Sequence, residues 1–292
     1  MRRLMTFVAA LAMALTLDIG SGRPGAEAAA QSPAKRFAGS GISGALDCFM
    51  CDLRYRQFRG AQMDASHLMG AYMFGVDLTR ASLIEANLES ANLVFAALER
   101  ADLTGANLMK ASLERSSLFG ATLRGATLAF ARLDDAYLEG AELSDANLTA
   151  AILRGANLFR AFANRANLRK ADLRTANMQR GNFRDANLQG AILAGADLTE
   201  ADLTNANMTK ADLRGAILVR ANMSYMRLLG ADLRGAKLMG AKIFGTNLKS
   251  ANFRGADLSD AAYASAVETD TDFCGATMPD GTEGKCKGAI KK

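Results

Sequence analysis

The chain is 292 residues long, 50% hydrophobic but only 7% aromatic and without Trp, and its formal net charge is +5. Such a positive excess points to nucleic acid or membrane until it is located along the chain. Residues 51–280 hold 26 Lys plus Arg against 26 Asp plus Glu, so the body is formally neutral, which weighs against nucleic-acid binding and against an acidic imitation of nucleic acid.

The excess lies at the ends. Residues 1–30 read as a secretory signal peptide. Arg2 and Arg3 open it, and Leu4 to Leu17 is an uncharged apolar run of 14 residues, suited to a signal core and short for a membrane span. Ala26-Glu27-Ala28 and Ala28-Ala29-Ala30 are small-x-small sites, so cleavage is expected after Ala28 or Ala30. An uncleaved anchor is the alternative. Residues 31–47 form a small-residue linker and N-terminal cap, and the basic tail at 281–292 includes Lys285, Lys287, Lys291 and Lys292. The expected location is outside the cytoplasm, periplasmic or secreted.

Residues 48–280 are organised by one repeat. From Cys51 to Asp280 a five-residue register, Ala-(Asp/Asn)-Leu-x-x, runs through 46 units without insertion or deletion. Leu fills the central slot in 32 units and Ala fills the slot two before it in 37. A period of five fits neither a continuous helix nor a continuous strand. Within a unit the Ala and Leu are two residues apart, so they share one face of an extended segment and the Asp or Asn between them faces away. The two following residues, mostly Gly, Ser, Thr or charged, must turn the chain. If each corner is roughly a right angle, four units close a coil of twenty residues, and coils stack about 4.8 Å apart. The 46 units then make between eleven and twelve coils and a rod about 55 Å long. Leu fills the interior at roughly 1.5–3 kcal/mol per buried side chain, and each coil touches only its neighbours, so both ends need caps.

These units closely resemble the pentapeptide repeat family. The resemblance covers about four-fifths of the chain, with a large apolar residue in 44 of 46 central slots. It implies an all-β, right-handed quadrilateral β-helix. Members of that family include gyrase-protecting DNA mimics, so a modulator of a type II topoisomerase is an alternative function. That function would need an acidic face and a cytoplasmic location.

Two central slots break the pattern. Ala163 stands where Leu belongs, and Phe162 beside it is expected to refill part of the space; a dent used by a partner is the sharper reading. Glu268 cannot be buried unpaired, so the last coil is expected to fray there. Arg56, in a small-residue slot, marks the same loosening in the first coil.

Four cysteines suit an exported protein. Cys48 and Cys51 lie at the entrance of the rod, and Cys274 and Cys286 bracket its exit. The expectation is two local disulfides, Cys48–Cys51 and Cys274–Cys286, as end clamps. A thioredoxin-type site would need a βαβ context that this chain lacks. Zinc would need all four sulfurs together, and the pairs lie about 50 Å apart along the rod.

Sorting units by fours gives four faces. One carries Arg154, Arg174, Arg214, Arg234 and Arg254 at equivalent positions, with Asp172, Asp212 and Asp232 two residues before three of them. This column reads as a compensated ladder on a solvated face, or as a stripe for an anionic envelope component or glycan. Tyr72, Phe74, Val94 and Phe95 fall in outward slots on adjacent coils near the start, a candidate contact patch. The N-terminal segment, a partner or a second subunit are its candidate occupants. Phe119, Phe159, Val219 and Met239 lie more sparsely on another face. The one histidine, His67, has no evident catalytic partner, and the recurring Asp and Asn do not converge on a pocket. No catalytic residue, cofactor or metal is expected. The sequence reads as an exported interaction protein whose partner is another protein, an envelope component or a second copy.

Overall fold

The computed structural model describes residues 43–286. The expected signal peptide, most of the linker and the end of the basic tail lie outside the described residues. Two three-residue strands, β1 (Lys242–Phe244) and β2 (Ala262–Ala264), pair in parallel with Lys242 opposite Ala262. From Asp47 onward the rest of the rod is built from isolated parallel bridges at a constant offset of twenty residues, as in Asp102↔Thr122↔Glu142↔Phe162↔Asn182. Four units per coil is therefore the observed geometry. The chain is an all-β parallel solenoid whose sides are too short to become regular strands.

Hydrogen bonding explains the preferred residue at almost every slot. In the unit Ala96–Arg100 the Leu98 N–H donates to Ser117 and the Arg100 N–H to Phe119, both on the next coil. The Ala97 N–H donates back to Val76 on the previous coil, and the Ala96 N–H closes a turn onto Leu93. Stacking thus satisfies three of the five N–H groups and the corner turn a fourth. The fourth residue's N–H is left over, and a buried or half-buried donor must find a partner. The outward Asp or Asn supplies it: Asn147 Oδ1 accepts from the Thr149 N–H at 3.1 Å, Asn177 Oδ1 from Gln179 at 3.2 Å, and Asp102 Oδ1 from Thr104 at 3.0 Å. This side-chain turn is what the second slot selects for.

The fifth residue of every unit from Met50 to Gly275 has φ between +50° and +68°. Each corner is a β-turn with a left-handed third residue, the type II pattern. Tyr55, Arg100 and Phe130 adopt it without being glycine, at a cost of about 1 kcal/mol or more each. The corner N–H bond to the next coil offsets that cost.

Every central side chain from Met63 to Leu258 is at most 2% exposed, so the interior is filled along its length. Ala163 is fully buried, but Phe162 does not turn inward as expected: it is bridged to Glu142 and Asn182 and is 48% exposed. Its slot is fixed by bridges on both sides. Compensation comes from the neighbouring coil, where the same column holds the fully buried Phe183. A Cβ on Gly181 would meet the Phe183 ring at 2.5 Å, so the small residues at 163 and 181 leave room for that ring.

The ends close differently. At the entrance the register begins one unit earlier than the repeat consensus indicates. Leu46 and Cys48 are buried in the Ala and Leu slots, and Met50 makes the first left-handed corner. At the exit Glu268 is exposed, in keeping with the expected loosening. The chain then returns as a short hairpin: Thr277 bridges Glu283 in antiparallel fashion and the Gly284 N–H donates to Ala276. Cys48 is joined to Cys51, and Cys274 to Cys286.

Candidate interaction surface

The four sides of a coil are designated I to IV, running through Asp102, Asn107, Ser112 and Ser117 respectively, each with its following corner. Both features singled out in the sequence fall on side III. Its first three coils carry the aromatic patch, and its last coils carry the arginine column.

In the patch, Phe74 lies between Tyr55 and Phe95, edge to face with each, both centroid distances being 5.5 Å. Tyr55, Tyr72 and Phe95 are 67%, 47% and 48% exposed, while Val94 is half-buried between them. Tyr55 was missed in the sequence because it occupies a corner slot, where charged residues and Gly predominate. Its ring takes the space above Gly75, where a Cβ would lie 2.8 Å from it. Glycine there lets the ring lie flat along the side. The Arg115 guanidinium sits 5.9 Å from the Phe95 centroid and pairs loosely with Asp135 at 3.7 Å. Phe95, Arg115, Asp135 and Tyr137 border a surface hollow of about 450 Å³. A string of edge-to-face rings ending in a cation over a ring is a rigid apolar strip with a polar edge, the composition of a protein-contact surface.

The arginine column is compensated. Asp172 receives Arg154 at 2.7 Å and Arg174 at 2.8 Å; Arg214 pairs with Asp212 and Arg234 with Asp232, each at 2.7 Å; Arg254 lies 3.6 Å from Asp272. Burial alone would raise the Asp172 pKa, but hydrogen bonds from Arg174 and Arg154 outweigh it and hold the carboxyl at about 2. Hydrogen bonds from Arg214 and Arg234 lower Asp212 and Asp232 in the same way.

Elsewhere the predicted residues stay apart. On side IV, Phe119 and Met239 are exposed six coils from each other, Phe159 is half-buried between them, and the half-buried Val219 lies one coil from Met239. His67 is exposed on side II. At the exit a hollow of about 610 Å³ is bordered by Tyr263, Glu268, Phe273 and Met278. The Tyr263 hydroxyl there is buried without a hydrogen bond of ordinary geometry, and burial, then the nearby Glu268 carboxylate, push its pKa up.

A filled parallel solenoid with separate chemical sides is a scaffold that offers surface. The family model of pentapeptide repeats matches eight copies spanning residues 86–260, and the chain belongs to the pentapeptide repeat family. Among solved structures, HetL, a pentapeptide repeat protein involved in heterocyst differentiation regulation from the cyanobacterium Nostoc sp. strain PCC 7120, is 33% identical; the match covers 84% of this chain and 94% of HetL, with a TM-score of 0.34. A pentapeptide repeat protein of the Arabidopsis thaliana thylakoid lumen is 33% identical over 32% of this chain and 66% of its own, TM-score 0.32. QnrB1, a plasmid-mediated fluoroquinolone resistance protein, is 16% identical over 80% and 91%, TM-score 0.30. Among curated proteins none matches. Family membership therefore rests on the repeat itself, and the twenty-residue coil on the bridges.

Proposed function

We propose that this protein is a non-catalytic, right-handed quadrilateral β-helix, exported to the periplasm or beyond, that holds a protein or envelope partner against its sides. The observation that carries the reading is the ring strip Tyr55–Phe74–Phe95, its two outer rings exposed, on a rod whose interior is filled. Rings held on bridged, stacked coils lose little freedom on binding, and such preorganised aromatic surface is the usual anchor of an interface. The topoisomerase reading has less support, because residues 51–280 carry equal numbers of acidic and basic residues. The arginine-stripe reading also has less support, since carboxylates already occupy the guanidinium groups.

Export has its own test. Fractionation of cells expressing the full chain is expected to place a shortened protein, beginning after Ala28 or Ala30, outside the cytoplasm. Full-length protein confined to the cytoplasm would remove the export reading. The contact reading is tested by photocross-linking from Phe95 in the native host, where a discrete adduct is expected and its absence would contradict the reading.

A further inference from the structure

Among the described residues every cation of side III joins an ion pair, whereas several on the other sides join none. Side II, between Asn107 and Ser250, carries Lys110, Arg169, Lys170, Lys210, Arg227 and Lys249 and not one Asp or Glu. All six are exposed, and no ion pair of the described residues involves any of them. Coil spacing puts the corner lysines Lys110, Lys170 and Lys210 about 10–14 Å apart, in a line that extends to Lys249 over about 34 Å.

The slots between these cations carry asparagines. Asn147, Asn167, Asn187, Asn207 and Asn247 each spend Oδ1 on the N–H two residues on, at 3.1, 3.3, 3.2, 3.1 and 3.1 Å. With the acceptor committed to the turn and no hydrogen bond among the described residues taking up Nδ2, that group remains a donor. Side II is thus a straight strip of amide donors punctuated by ammonium and guanidinium groups, with no carboxylate to oppose an anion.

A matching ligand is long, linear and rich in acceptors, with negative charges at intervals. We infer that side II binds a linear anionic polysaccharide bearing carboxylate or sulfate groups. Nucleic acid fits less well. Single strands are held by stacking on aromatic rings, and Phe130 is the one aromatic residue on this side between Asn107 and Ser250. A bilayer fits less well, because the middle column is polar amide rather than apolar anchor. The assignment concerns a different side from the ring strip and stands independently of any protein partner.

The test uses the full mature chain with alginate and heparin as probes, neutral dextran as the uncharged control, and a single-stranded DNA oligonucleotide and phosphatidylglycerol vesicles as competing classes. Two variants of similar charge change are compared: K110Q/R169Q/K170Q/K210Q/R227Q/K249Q on side II, and R154Q/R174Q/R214Q/R234Q/R254Q on side III. The parent is expected to bind both anionic glycans in a salt-sensitive way and to ignore dextran. The side II variant is expected to lose about tenfold or more, since each cation removed takes a charge contact with it, while the side III variant stays near the parent. Equal losses in both variants, a loss confined to side III, absence of glycan binding, or binding of DNA or vesicles alone would each overturn the assignment. If the six-fold variant melts early, K170E/K210E replaces it under the same criteria.

Discussion

Asp172 shows what one residue carries in this rod. Its carboxyl receives two arginines from adjacent coils and the N–H of Arg174, and so ties one coil to the next. The sign of its pH dependence follows from its pKa. The folded carboxyl ionises at about 2, below the roughly 3.9 of an unfolded chain. Its contribution is therefore present above pH ~4 and lost as pH falls through ~2. Asp172→Asn is expected to lower stability at neutral pH by about 1–2 kcal/mol, allowing for the exposed guanidiniums, and to match the parent near pH 2. Chemical denaturation at the two pH values checks it; equal losses at both would show that the ion pairs contribute nothing. The Ala163 region was only partly legible from residues alone. A missing Leu is plain in the register, but compensation by Phe183 one coil later depends on stacking order and on a glycine that reads as an ordinary small residue. Gly181→Ala is expected to cost about 1–3 kcal/mol through collision with that ring, measured by thermal or denaturant unfolding against Ala171→Gly as a reference.

At the scale of the coil, the repeat consensus is a hydrogen-bond ledger written in sequence. Leu and Ala were legible as core because they alternate, and the corner was legible because small and polar residues follow. The reason for Asp and Asn was legible only as turn tolerance; the structure shows a specific bond to the one N–H that stacking leaves unpaired. Asn177→Ala, which removes the acceptor for Gln179 and the 3.1 Å bond to Asn157, is expected to destabilise by about 0.5–1.5 kcal/mol. Asn177→Asp should keep the turn and lose only the bond between coils. The exit cap has its own prediction. Cys274 and Cys286 close a loop with a sequence separation of 12, for which about 3 kcal/mol is expected. Reducing agent should therefore lower the unfolding midpoint, and amide exchange should rise first in the last coils. Uniform exchange along the rod would show that the clamp does not act locally.

For the whole molecule, one register gives four sides, and net charge hides how they differ. The chain sums to neutrality between residues 51 and 280 because the positive excess of side II, whose cations between Asn107 and Ser250 meet no carboxylate on that side, is balanced by a negative excess on side I. Density of arginine drew attention to side III in the sequence. The informative signal was the absence of carboxylates from side II between Asn107 and Ser250, which reading that side unit by unit would have exposed. The aromatic strip was legible as Tyr72, Phe74, Val94 and Phe95, but its continuity to Tyr55 and Arg115 needed the stacked coils. The central claim, that this rod works by holding a partner on the strip of side III, is tested most directly by site-specific photocross-linking in the native host. A photoreactive residue at Phe95 is expected to give a discrete adduct that disappears when Tyr72 and Phe74 are changed to Ser, while the same probe at Thr199 on side IV gives none. No adduct at Phe95, or equal adducts from both positions, would contradict the account.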